Sequence, residues 1–132
     1  INFQMIKNMK KLVILLTLGL LSSCGIFDED SRKFQLDEIE KLKSEITALS
    51  ESVSCTNSAE WKFTPMGSKA CGGPTNYIAY HLSVEADFLN LVEQYTRLQA
   101  EYNKKNNVVS DCMLIASPRS VVCEGGKPFL LN

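Results

Sequence analysis

Cys55, Cys71, Cys112 and Cys123 restrict what this chain can fold into more than any other feature. A domain of roughly a hundred residues buries only a marginal core, and covalent cross-links compensate for it. The fifth cysteine, Cys24, stands apart at the end of an apolar run. Five is an odd number, and an unpaired thiol is awkward in an exported protein; setting Cys24 aside leaves an even set. The metal alternative is weak, since no Cys-x-x-Cys knuckle occurs and the gaps do not suggest paired ligands. Two structural disulfides are therefore expected, and such bonds persist outside the cytoplasm. Locality favours the pairs Cys55–Cys71 and Cys112–Cys123, each bracketing one strand-and-turn segment and contributing ~3 kcal/mol through loop closure.

Lys7, Lys10 and Lys11 precede the apolar residues 12–21, and small residues follow. This is the pattern of an export signal, and the run is shorter than the ~20 residues of a membrane-spanning helix. Leu21-Ser22-Ser23-Cys24 resembles the lipobox of bacterial lipoproteins. That resemblance implies cleavage before Cys24, acylation of its sulfur and a membrane anchor, with residues 1–23 removed. Because the chain opens on Ile1, Met5 or Met9 is the expected start. Residues 24–30 then form a lipidated tether. Gly25, in place of an Asp, resembles the sorting of lipoproteins to the outer membrane of Gram-negative bacteria. The acidic run Asp28-Glu29-Asp30 looks like a signal that some of these groups use to reach the cell surface. A plainer reading makes it a solvated spacer that favours the start of the next helix. Removing three lysines from 14 basic residues leaves 11 against 15 acidic, a charge of −4. Such a domain lacks the clustered cations that nucleic-acid binding requires.

Residues 31–132 read as one small α+β domain. Ile39, Leu42, Ile46, Leu49 and Val53 recur at helical spacing, extended by Leu36, which predicts an amphipathic helix over 31 to about 53. Ser31 or Asp30 is placed to cap it. Trp61, Phe63 and Pro65 alternate with Lys62 and Thr64 in a short strand ended or bulged by the proline. A turn-rich segment, 67–74, leads to apolar Tyr77-Ile78-Ala79-Tyr80. Ser83 then precedes a second helix whose stripe is Val84, Phe88, Leu91, Val92, Tyr95, Leu98 and Tyr102. Lys104 and Lys105 suit its C-terminus, and Asn106-Asn107 can adopt the left-handed stop. Val121-Val122 and Phe129-Leu130-Leu131 flank Glu124-Gly125-Gly126-Lys127, a hairpin turn. The expected architecture is two amphipathic helices packed on a small antiparallel sheet.

Cys55 followed by Trp61, the run from Gly67 through Cys71-Gly72-Gly73-Pro74, Tyr77 to Tyr80, Ser110-Asp111-Cys112 and Val122 to Gly126 together resemble a family of small secreted proteins and lipoproteins of Gram-negative bacteria. The resemblance implies one disulfide-bonded domain, and that family has no established activity.

Residues that carry chemistry are few. His81 is the single histidine, so no histidine metal cluster can form within one chain, and a pre-helix polar role is the simpler reading. Gly72-Gly73-Pro74 lacks the lysine and hydroxyl of a phosphate-binding loop and suits a sharp turn beside a disulfide. Trp61, Tyr77 and Tyr80 form either part of the core or an aromatic binding patch. Pro118-Arg119-Ser120, between Cys112 and Cys123, is either a turn or a substrate-like bond held for a hydrolase to bind. The expected function is that of a non-enzymatic envelope lipoprotein without cofactor, binding a protein or glycan partner at the outer membrane or cell surface. The alternatives are an inhibitor of an extracellular hydrolase acting through Arg119, and, third, a hydrolase itself.

Overall fold

The computed structural model describes residues 26–132. The expected signal, its expected cleavage point and Cys24 lie outside the described residues. The chain divides into two compact units, Ile1–Phe34 and Gln35–Asn132. In the first, the described residues belong to the opening turns of helix α1, Ile26–Ser50, where Asp28 and Glu29 occupy the first turn and suit its dipole. No described helix is long and apolar enough to cross a membrane.

The second unit is α+β, with order α1, β1 (Trp61–Met66), β2 (Asn76–His81), α2 (Glu85–Lys105), β3 (Ser120–Glu124) and β4 (Lys127–Leu131). Two antiparallel hairpins replace the single expected sheet. One pairs β1 with β2, Trp61 opposite His81 and Met66 opposite Asn76; the other pairs β3 with β4, Val122 opposite Phe129. Both faces of β1–β2 are covered. On one, Tyr80, Met66 and Ile78 meet Ile39, Leu42 and Ile46 of α1 and Phe88, Val92 and Tyr95 of α2. On the other, Trp61, Ala79 and Phe63 meet Cys55, Val121 and Leu130. The layers run helices, first hairpin, second hairpin, so β1–β2 is apolar on both sides.

β1 continues through Pro65 to Met66 rather than ending at the proline. It is an edge strand of a two-stranded sheet, where a missing N–H need not interrupt the ladder. α1 stops at Ser50, where the Ser50 hydroxyl donates to the Ala79 carbonyl at 2.6 Å and ties the helix end to β2. Val53, beyond that stop, packs on the second cluster instead. Ser83 does not cap α2. It sits in a single 3-10 turn, Leu82–Val84, capped by His81, and the α2 N-cap residue, Val84, makes no side-chain capping bond. At the other end Asn107 takes φ 49° and stops the helix, as its sequence implies.

The disulfide pairing differs from the local one. Cys55 bonds Cys123 and Cys71 bonds Cys112, a nested arrangement spanning 68 and 41 residues. Layering is the reason: the chain leaving α1 passes beneath the second hairpin, where the Cys55 amide donates to the Gly126 carbonyl at 2.8 Å. On a chain-entropy argument each of these longer loops contributes about 4 kcal/mol, more than the local pairs would.

Candidate functional site

Of the three candidate aromatics, Trp61 and Tyr80 belong to the core, 6% and 4% exposed. The Tyr80 ring stacks on Phe88, with centroids 4.9 Å apart. Its hydroxyl donates to Glu85 at 3.0 Å, and Lys62 donates to the same oxygen at 2.9 Å. Burial, then the Glu85 bond and charge, push the Tyr80 phenol up to about 12; the Lys62 bond chiefly holds the Glu85 carboxyl below its usual value. Tyr77 is half-buried, edge-on to Phe63. It also lines an open groove of about 730 Å³ between the end of α1, β2 and the tip of the second hairpin. The hydroxyls of Ser50, Ser52 and Ser54 along that groove already donate to backbone carbonyls. Ser50 and Ser54 tie the layers together, while Ser52 bonds back to Leu49 at the end of α1.

His81 stands between Ser83 and Glu60, a line that invites comparison with a hydrolytic triad. Its Nδ1 lies 2.8 Å from the Ser83 hydroxyl, and Nε2 lies 3.5 Å from Glu60. Nδ1 also accepts the Ser83 backbone N–H at 3.1 Å. A base whose lone pair is held by a main-chain amide is poorly placed to take a hydroxyl proton. The ring meets Trp61 edge-on at 5.4 Å, so the residue closes a turn over the core. Among the described residues no group of three His, Cys, Asp or Glu is placed to hold a metal.

A different surface stands out between α2 and β3. Residues 108–118 run without a helix, strand, turn or bend, and residues 109–118 find no backbone-to-backbone hydrogen bond among the described residues. Val109, Met113 and Leu114 are 92%, 75% and 92% exposed. Isolated surface apolar residues are ordinary, whereas several large ones on one short segment make it a candidate contact surface. The segment is braced from beneath by the turn at 69–73. Gly72 and Gly73 both take positive φ, 96° and 82°, and carry the chain sharply round. That turn sets Cys71 against Cys112 and points Lys69 at the segment. Lys69 Nζ donates to Asp111 at 2.7 Å and to the Met113 carbonyl at 2.8 Å, and the Met113 N–H donates to Asp111. The Lys69 bond, with the Met113 amide, holds the Asp111 carboxyl below its ordinary value.

Arg119 is exposed, but the segment holding it is committed to the second hairpin. Pro118 is buried, Ser120 opens β3, and the Arg119 amide donates to Leu131 at 2.7 Å. Cys112 and Cys123 do not close a loop around it, since each bonds elsewhere. Sequence reasoning missed Lys69, Val109, Met113 and Leu114. The available signal was apolar Val108-Val109 and Met113-Leu114-Ile115 in a stretch with neither helical nor alternating period. Compared with protein-family models, curated proteins and solved structures, the chain matches none.

Proposed function

We propose that this protein is a non-enzymatic lipoprotein of the bacterial envelope, anchored through Cys24 at the outer membrane and acting as a binding module. The observation that carries the binding role is the braced, irregular segment 108–118 with Val109, Met113 and Leu114 turned to solvent. Holding apolar side chains in water on an ordered backbone is unfavourable for folding alone, and pre-ordering lowers the cost of a later association. The envelope assignment rests on the lysine-flanked apolar run and on Leu21-Ser22-Ser23-Cys24, and it agrees with a domain cross-linked by two disulfides.

Two measurements test the two halves. Metabolic labelling with fatty acid is expected to mark the protein, and Cys24→Ser to abolish both label and membrane sedimentation. Persistent labelling of the substituted protein defeats the lipoprotein reading. For the binding role, the full chain carrying Cys24→Ser serves as bait on intact cells, beside the same chain with Val109→Asp and Leu114→Asp. A partner retained by the first and lost by the second supports the reading. Identical capture by both defeats it.

A further inference from the structure

We propose that residues 112–118 form a reactive-site loop that occupies the cleft of an extracellular endopeptidase, with Leu114 entering the primary specificity pocket. The inference rests on the non-catalytic binding reading above and names its partner. An endopeptidase takes its substrate as an extended strand, recognised through main-chain hydrogen bonds and through alternate side chains in pockets. A segment folded into a helix or already paired in a sheet cannot be bound in that way. Residues 108–118 are neither, and from 109 to 118 their backbone has no backbone partner among the described residues. Within residues 112–118 Leu114 is the most exposed large apolar side chain, 92% against 75% for Met113 and 37% for Ile115.

Exposure alone would make a substrate, and rigidity separates an inhibitor from one. Cys112, two residues before Leu114, is fixed to Cys71. Met113 is held at both main-chain atoms, its carbonyl by Lys69 and its N–H by Asp111. The Lys69 contact thus fixes the carbonyl of Met113, next to Leu114, whose side chain stands open to an enzyme. On the far side, buried Pro118 and the Arg119-to-Leu131 bond anchor the chain again. Only residues 113–117 lie between the two anchors. Charge narrows the partner: Lys69 neutralises Asp111 at 2.7 Å, and residues 112–118 include no ionisable side chain outside the disulfide. The loop fits a neutral, apolar pocket and not the acidic one that selects lysine or arginine.

The test titrates the oxidised full chain, carrying Cys24→Ser, against chymotrypsin, subtilisin and trypsin. Inhibition of chymotrypsin or subtilisin is expected with an inhibition constant of about 1 μM or tighter, without inhibition of trypsin. Leu114→Gly should weaken it about 100-fold, as removal of a central anchor does. Leu114→Lys should transfer inhibition to trypsin, a change that a general loss of structure cannot produce. Lys69→Met should weaken binding about 10-fold and hasten cleavage after residue 114, because the brace is lost. Rapid cleavage of the unsubstituted loop without inhibition overturns the proposal, as does failure of the wild type and Leu114→Lys against all three enzymes. Should the bait still capture a partner through Val109 and Leu114 while inhibiting no protease, the segment binds a partner of another class. The inhibitor inference then falls and the binding-module reading stands.

Discussion

Tyr80 illustrates how one residue type serves either of two ends, and how neighbours decide between them. In the sequence it is an aromatic near a glycine-rich turn, read as core ahead of a ligand patch. In the fold its ring fills the space between β2 and Phe88 and its hydroxyl reaches a polar partner, Glu85. The core role was legible, but nothing in a run of four apolar residues says which face meets a helix, so the stacking partner was not. The burial has a pH consequence. The folded phenol titrates near 12 against 10 for the unfolded one. Below pH 10 both states keep the proton and the contribution is complete. Between pH 10 and 12 the unfolded chain releases it first, so stability falls as pH rises, by on the order of 2 kcal/mol from Tyr80. Tyr95, also raised, by burial foremost, acts in the same direction. Urea melts from pH 9 to 12 should show the decline, and Tyr80→Phe should flatten part of it. An unchanged slope in that variant would show that the phenol does not titrate late.

Among the elements, α2 was the most legible, because Phe88, Val92 and Tyr95 repeat at helical spacing and all three are buried. Its start was not, since Ser83 mimics a cap while a separate 3-10 turn intervenes. The turn at 67–75 depends on Gly67, which takes φ 80° and donates its N–H to Thr96 on α2 at 3.0 Å. A β-carbon there would collide with the Thr75 and Gln99 side chains. Gly67→Ala is expected to cost about 1–3 kcal/mol in a thermal melt, whereas an effect near zero would mean that the turn adapts freely. The two disulfides should also behave differently. Cys71 and Cys112 are exposed and Cys55 is 2% exposed. Thiol–disulfide exchange requires access of the attacking thiolate to sulfur. Brief, mild reduction followed by alkylation and peptide mapping should find Cys71 and Cys112 modified first. Simultaneous opening of both bonds, or of the buried one first, would contradict the layering.

At the scale of the whole molecule, the sequence showed the parts more clearly than their stacking. Continuous apolarity over Tyr77, Ile78, Ala79 and Tyr80 was a sign of a strand covered on both faces, yet alternation in Trp61 and Phe63 does not say what covers them. Two helices on a small antiparallel sheet was the inference, while the local cysteine pairs rested on sequence proximity. The second hairpin adds a separate sheet to that α+β plan and overturns the local pairs, because it folds back on β1–β2 and brings residue 123 to residue 55. The candidate site was hidden for the same reason: Lys69 meets Asp111 and Met113 only after the fold closes. This stacking makes Trp61, the only tryptophan, a reporter of the hairpin, since it packs in the cluster formed by Cys55, Ala79 and Val121. Replacing Cys55 and Cys123 together by Ala removes a cross-link worth about 4 kcal/mol, a large share of the stability of a small domain. Tryptophan emission should then shift to the red at a lower urea concentration than in the wild type. Cys71→Ala with Cys112→Ala frees the segment 108–118, which touches neither core cluster. Its removal also costs chain entropy, but Trp61 should stay buried up to the global transition. If the two double variants lose Trp61 burial together, in one transition with the far-ultraviolet signal, the second hairpin is integral to a single cooperative core. If only the Cys55–Cys123 variant exposes Trp61 while the helical signal persists, the second hairpin is a separable layer held by that bond, the outcome the small size of its cluster favours.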